Sequence, residues 1–169
     1  MLTTEYSPPP ATFKERLSRQ KDMAAKDQPT LFQVKGPLLA EGRTTTPLAA
    51  TEDMTIQLKI YASGGENELH AHPHEDHSFI VLKGTVRFYD REGEMANLGR
   101  NEGILLPRGC FHWFHATSKE PLVMIRVGTP EAAKQDAPSR INIDGSPMAG
   151  GSVENKSVPV KYLDGQFFG

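Results

Sequence analysis

Residues 64–84 read Gly64-Gly65-Glu66-Asn67-Glu68-Leu69-His70-Ala71-His72-Pro73-His74-Glu75-Asp76-His77-Ser78-Phe79-Ile80-Val81-Leu82-Lys83-Gly84. Four of the six histidines fall within eight of these positions, and the other two, His112 and His115, are paired downstream. The cluster sits mid-chain, so an expression tag does not explain it. On a strand, side chains at i and i+2 share a face, so His70 and His72 can bind one ion together. Neutral imidazole suits zinc, copper, nickel and iron at about 2.0–2.2 Å. His74 would continue the parity, but Pro73 intervenes and Glu75-Asp76 read as a turn. The chain re-enters a strand at His77, in parity with Phe79 and Val81, which makes a third donor easy to supply. A fourth must come from far away in sequence, and His112, on a strand expected over residues 110–116, is the supplier. His74 and His115 are assigned to the solvated surface.

Outward from this stretch, the signals from Leu31 to Gly128 are short apolar runs separated by turn residues. Met54, Ile56, Leu58 and Ile60 alternate with Thr55, Gln57, Lys59 and Tyr61, which is strand periodicity. Ser63-Gly64-Gly65 breaks the chain. Residues 77–82 and 85–89 flank Lys83-Gly84 and read as a hairpin. Residues 90–93 make a second turn and Pro107-Arg108-Gly109 a third, with strands over 103–106, 110–116 and 121–127. So many short strands with close turns and no long helical period predict a closed all-β structure, a barrel or jelly roll.

Before the strands, Ser7-Pro8-Pro9-Pro10 reads as an extended arm. A short helix follows over residues 12–23, with Thr12 as its cap, Glu15 three residues on, and Phe13 and Leu17 on one face. The organisation is therefore an arm and helix over 1–30, a barrel over 31–128 and a partly irregular tail over 129–169. In that tail Tyr162, Phe167 and Phe168 offer anchors to the body or to a second subunit.

The composition narrows the class. A chain of 169 residues is about one domain long. Nineteen basic and 21 acidic residues, for a net charge of −2, give no broad positive field and count against nucleic acid as a partner. No apolar run approaches the ~20 residues of a membrane span, and the N-terminal residues lack the pattern of a secretory signal. One cysteine, Cys110, excludes an internal disulfide and a cysteine-based zinc site. A soluble cytoplasmic protein is expected, with a small-molecule ligand and neither nucleic acid nor membrane as partner.

The histidine stretch resembles the cupins. Gly64, five residues, His70-Ala71-His72, four residues, His77, six residues and Gly84 follow the spacing of the first cupin motif, which has a glutamate where this chain has His77. Pro107-Arg108-Gly109-Cys110-Phe111-His112 is similar to the second motif, with Asn101 in place of its opening glycine and Ala116 in place of a frequent asparagine. Over residues 50–128 the resemblance implies a double-stranded β-helix, a jelly-roll barrel, with one divalent ion held by His70, His72, His77 and His112. Iron, zinc, nickel, copper and manganese are not distinguished. The resemblance implies no single reaction, because the fold hosts many. Without the glutamate, four neutral imidazoles leave a divalent site near +2 and Lewis acidic. All-histidine members of the family include diketone-cleaving iron dioxygenases and aromatic-polyketide cyclases, so the expected substrate is small and enolisable or phenolic. A non-catalytic binding module and a purely structural metal remain the alternatives.

Parity with His112 turns Cys110 and Phe114 inward and Phe111, Trp113 and His115 outward. Phe111 and Trp113 then form an outer apolar patch, from which a homodimer is expected; the helix or the tail are the other candidates to cover it. Cys110 reads as a small buried filler. Arg126 reads as a solvated arginine, with a carboxylate-binding place at the barrel mouth as the alternative. Glu75 and Asp76 read as turn residues, with contact to a ligand histidine as the alternative. Ile56, Leu58, Phe79, Val81, Phe88 and Met124 are expected to wall the pocket.

Overall fold

A computed structural model describes residues 4–62, 67–129, 138–149 and 158–169. Gly64, the first residue of the motif spacing, lies outside them. The helix α1 spans Phe13–Ala24, and Thr12 caps it by accepting the Glu15 backbone N–H at 3.1 Å, as expected of a capping side chain. Its buried residues are Arg16 and Gln20, so the face it turns to the body is polar. The strands are β1 (Gly36–Glu41), β2 (Arg43–Ala50), β3 (Thr55–Tyr61), β4 (His77–Lys83) and β5 (Val86–Tyr89). They continue as β6 (Glu94–Leu98), β7 (Gly103–Leu106), β8 (Trp113–Ala116), β9 (Leu122–Gly128) and β10 (Lys161–Phe168).

A five-stranded sheet, ordered β2-β3-β9-β4-β7, faces a three-stranded one, β6-β5-β8, and the strand pairs are antiparallel. This is the expected jelly-roll arrangement. Residues 77–89, however, are not a hairpin: β4 pairs with β7 and β9, whereas β5 pairs with β6 and β8. The chain changes sheets at Gly84, whose φ of 78° is a left-handed conformation that favours glycine. A Cβ there would also stand 2.7 Å from Ser118 Oγ.

Two apolar clusters hold the layers together. Tyr61, Phe79, Val81, Phe88, Phe114 and Met124 are among those filling the space between the two facing sheets. Phe114 meets Tyr61 edge-on at 4.9 Å between centroids, a favoured aromatic geometry. On the other face of β3 and β9, Leu58, Ile60 and Val123 pack against Leu38, Leu39 and Leu48. Strand β3 is thus buried on both faces, and its alternation has the opposite sense to the one expected. Gln57, Lys59 and Tyr61 lie opposite Arg126, Met124 and Leu122, and Phe79 and Val81 lie opposite the same Arg126 and Met124. The polar-looking row therefore faces the interior, while Ile56 and Leu58 belong to the outer cluster and do not wall the pocket.

The tail is not irregular throughout. Residues 161–168 form β10, which pairs with β1 in a two-stranded sheet of their own; Leu163 and Phe168 pack on the outer cluster. Ile141 bridges Ala71 through reciprocal backbone bonds of 3.1 and 3.0 Å. No helix among the described residues is long and apolar enough to cross a membrane.

Candidate metal centre

The segment 70–72 is pinned along both edges. His70 exchanges backbone hydrogen bonds of 3.1 and 2.9 Å with His112, and Ala71 is bonded to Ile141 as above. The His72 carbonyl accepts the Gly109 N–H at 2.8 Å, which ties the first histidine pair to the turn before His112. His77 begins β4, opposite Leu106 of β7 and Gly128 of β9. Gly128 leaves the space that His77 needs, since a Cβ there would lie 2.6 Å from the His77 Cβ. Two sequence segments far apart are thereby held in register by backbone bonds.

The four imidazoles converge. Ring centroids are 5.0 Å apart for His70 and His72, 4.7 Å for His70 and His112, 4.7 Å for His72 and His77, and 5.2 Å for His77 and His112. His70, His72 and His112 form one group whose donor atoms could hold a metal ion, and His72, Glu75 and His77 form a second. All four rings are buried. His74 and His115 are exposed and stand apart, as expected.

The far nitrogens show how the rings are aimed. His70 Nδ1 donates to the Glu68 carbonyl at 2.7 Å and His112 Nδ1 to the Cys110 carbonyl at 3.1 Å. Each bond places the proton on Nδ1 and leaves a lone pair on Nε2. His72 Nδ1 lies 2.7 Å from Glu75 Oε2, a close pair whose angle falls outside ordinary hydrogen-bond alignment. The Nε2 atoms of His70 and His72 face each other at 3.2 Å. Two donors about 2.1 Å from one ion stand roughly 3.0–3.4 Å apart, between octahedral and tetrahedral angles. The spacing fits an ion between them, and without one, two lone pairs would oppose each other. Both ring nitrogens of His77 are buried without a hydrogen-bond partner, which a cation beside the ring would also resolve.

Burial keeps the rings neutral, the form that binds metal. Desolvation first, then the charge of His112 and Arg140, hold His70 well below its usual range. Desolvation and Arg126 do the same for His77. His112 is pushed down to about 4, mainly by burial.

A cupin-domain family model (Cupin_2) matches residues 57–128, the stretch that carries all four imidazoles. Over that stretch the chain is similar to the cupin domain. It is 32% identical over 65 residues, 38% of its length, to the uncharacterized protein YdbB of Bacillus subtilis (strain 168). The match spans 56% of that relative. A sugar phosphate isomerase of the cupin superfamily from Silicibacter pomeroyi DSS-3 superposes with a TM-score of 0.50 at 20% identity, over 66% of this chain and 83% of that one. It supports the fold alone. An uncharacterized conserved protein with a double-stranded β-helix domain from Klebsiella pneumoniae subsp. pneumoniae MGH 78578 gives a TM-score of 0.49 at 20% identity, over 55% and 81% of the two chains.

Two residues of the centre depart from the reading preferred for them in the sequence. Glu75 is a buried carboxylate rather than a solvated turn residue, and Arg126 is a buried cation rather than a surface one. Arg126 Nη2 donates to Glu75 Oε2 at 2.7 Å, and the same oxygen lies against His72. The centre therefore has an acidic group beside its imidazoles, contrary to the expectation that it lacks one. Arg126 offsets the charge of that group. The inward parity of Arg126 with Met124 was the available signal; for Glu75 the alternative reading, contact to a ligand histidine, is the one found. Asp76, by contrast, faces outward to an ion pair with Arg108 and accepts the Arg108 backbone N–H at 2.8 Å. Cys110 is half-buried against the inner cluster, and burial raises its thiol pKa. It behaves as filler, not as a reactive thiol.

Proposed function

We propose that this protein is a mononuclear metal enzyme in which His70, His72, His77 and His112 hold one divalent ion beside a small enolisable or phenolic substrate. The observation that carries the reading is the pair of Nε2 atoms facing each other at 3.2 Å. Both rings have their other nitrogen turned to a carbonyl or carboxylate oxygen. Bound there, an ion supplies Lewis acidity to a substrate oxygen, with iron(II) suiting dioxygenation and zinc suiting cyclisation or isomerisation. The chain's own residues do the positioning. The Glu68 and Cys110 carbonyls fix two ring orientations, Glu75 stands against the third, and Arg126 donates to Glu75. Phe79 stands edge-on to His77 at 5.4 Å and presents the apolar cluster that keeps water from that side.

A purely structural ion is the second reading, favoured by the depth of the four rings, none more than 4% exposed. Metal analysis of protein purified without added metal tests the ligand set. One ion per chain is expected in the wild type, in His74→Ala and in His115→Ala. A loss of affinity beyond the ~10–100-fold typical of residues that only support a ligand is expected in His70→Ala, His72→Ala, His77→Ala and His112→Ala. Retention of metal by His77→Ala would remove that residue from the set. Oxygen uptake by the iron-loaded protein with β-diketones and polyphenols, and product analysis with zinc, separate enzyme from structural site. Turnover with neither metal supports the structural reading.

A further inference from the structure

A cavity of about 420 Å³ opens between α1, β2, β3 and the segments around Arg140 and Val160. Lys59 of β3 is the one lysine among its described lining residues. It is only 7% exposed, although lysine is almost never buried unless its charge is paired. Among the described residues its side chain makes no ion pair or hydrogen bond, and Nζ lies 5.4 Å from the centre of the Tyr61 ring. Its neighbours across the sheet, Thr45 and Met124, carry no charge. Arg16, Arg43 and Arg140 line the same cavity, and each is engaged in interactions of its own.

Such a group holds its proton poorly. Desolvation first, then the charges of Arg126 on β9, Arg16 on α1, Arg140 and Arg43 on β2, keep Lys59 well below the usual lysine range. A neutral amine needs no counter-charge, which explains how Lys59 is tolerated in the interior. It also has a free lone pair, and a desolvated lysine beside other cations is a nucleophile towards carbonyl carbon. Thr44, in the same lining, has a buried hydroxyl without a hydrogen-bond partner. The four imidazoles are not part of this lining.

We propose that Lys59 is a nucleophilic amine that condenses with the carbonyl group of a small aldehyde or ketone admitted to this cavity. The amine lone pair forms the C–N bond as the carbonyl π pair moves to oxygen, and one proton passes from nitrogen to that oxygen. The nitrogen then forms the C=N bond, its second proton and the hydroxyl leave as water, and a neutral imine remains. The step needs neither oxidant nor reductant. The Thr44 hydroxyl is the hydrogen-bond partner available to the carbonyl oxygen, and the volume lies in the range of small-molecule sites. The inference stands apart from the metal reading and holds for protein with or without an ion.

Trapping of the imine with cyanoborohydride tests it on the full chain, with propanal and pyruvate as probes and peptide mass mapping as the readout. The exposed Lys14, Lys21 and Lys119 serve as internal references. At pH 7 one or both probes should label Lys59 at least about tenfold faster than the references, because an ordinary lysine amine stays protonated until about pH 10.4. Between pH 7 and pH 9 the neutral fraction of an ordinary amine rises about tenfold per unit, while that of Lys59 has little left to gain. The ratio of Lys59 to reference labelling should therefore fall steeply over that range. A buried lysine with a merely structural role would be labelled more slowly than the references throughout. Lys59→Arg should lose the fast label and keep the slow background on the exposed lysines; mapping of the wild type decides the matter even where that variant fails to fold. Labelling of Lys59 by both probes no faster than the references, or a ratio that does not change with pH, overturns the proposal.

Discussion

Replacing Glu75 with glutamine keeps the shape of the side chain and removes its charge. In the native chain Glu75 Oε2 accepts from Arg126 Nη2 at 2.7 Å, and both side chains are only 3% exposed. An exposed pair of this kind is worth about 1 kcal/mol or less. Here the change leaves a guanidinium buried among neutral imidazoles without its counter-charge, which costs about 3–5 kcal/mol. Single domains are stable by about 5–15 kcal/mol, so Glu75→Gln should lose a large share of the total. The His72 ring loses its carboxylate partner in the same step, and zinc affinity should fall about 10–100-fold. Urea denaturation of chelator-treated protein reads the first effect, and competition against a chromophoric chelator reads the second. The double variant Glu75→Leu with Arg126→Met should recover most of the stability, because both charges leave together. It should not recover the zinc affinity. A Glu75→Gln protein within 1 kcal/mol of wild type that binds zinc equally well would refute the coupling of Arg126, Glu75 and His72.

Three further outcomes are expected. Gly128→Ala places a methyl group 2.6 Å from the His77 Cβ and 2.9 Å from the Asp76 carbonyl oxygen; it should cost about 1–3 kcal/mol by urea denaturation and weaken metal binding, and wild-type behaviour in both would mean that His77 has slack. In metal-free protein His112 is held at about 4 against about 6.5 in the unfolded chain, so the unfolded chain takes up the proton first as pH falls. Its contribution is intact above about pH 6.5 and is lost towards pH 4, by about 3 kcal/mol at most; melts that do not change between these limits would contradict it. A homodimer is expected from the exposed Ile80 and Leu105 on the outer sheet face, now that Trp113 is found stacked on Tyr89 at 4.2 Å and Phe111 under Arg91 at 3.8 Å. Light scattering should return twice the 18.7-kDa chain mass, and the single-chain mass would sink the dimer.

The parts of this molecule that follow strict local rules were readable from the sequence. His70 and His72 share a face because strand side chains alternate, and Thr12 caps α1 because its hydroxyl can reach the Glu15 N–H. Strand β3 misled because it is buried on both sides. Apolar alternation there marks the outer cluster, while the interior row is polar to serve a polar centre. Arg126 and Glu75 were misread for a related reason: each is tolerable in the interior only because the other is there, and the two are separated by fifty-one positions. Pairing at that range leaves no periodic trace. Strand β10 was missed because Lys161, Tyr162, Asp164, Gln166 and Phe167 are all exposed, so it is held chiefly through backbone bonds that carry no side-chain pattern.

That last strand also sets an order of events. The N-terminal part of a chain emerges first during synthesis. Strand β1 has β10 as its sheet partner, from Gly36 opposite Phe168 to Glu41 opposite Lys161. Its hydrogen-bonding groups towards that partner stay unanswered until residues 161–168 have left the ribosome. An edge left open for that long is a template for pairing with another nascent chain, and closing so distant a contact is slow. A nascent chain cut short before residue 161 would keep its barrel strands and its histidines, yet present β1 bare. The segment that looks most dispensable for the metal chemistry is therefore the one that protects each newly made molecule from its neighbours.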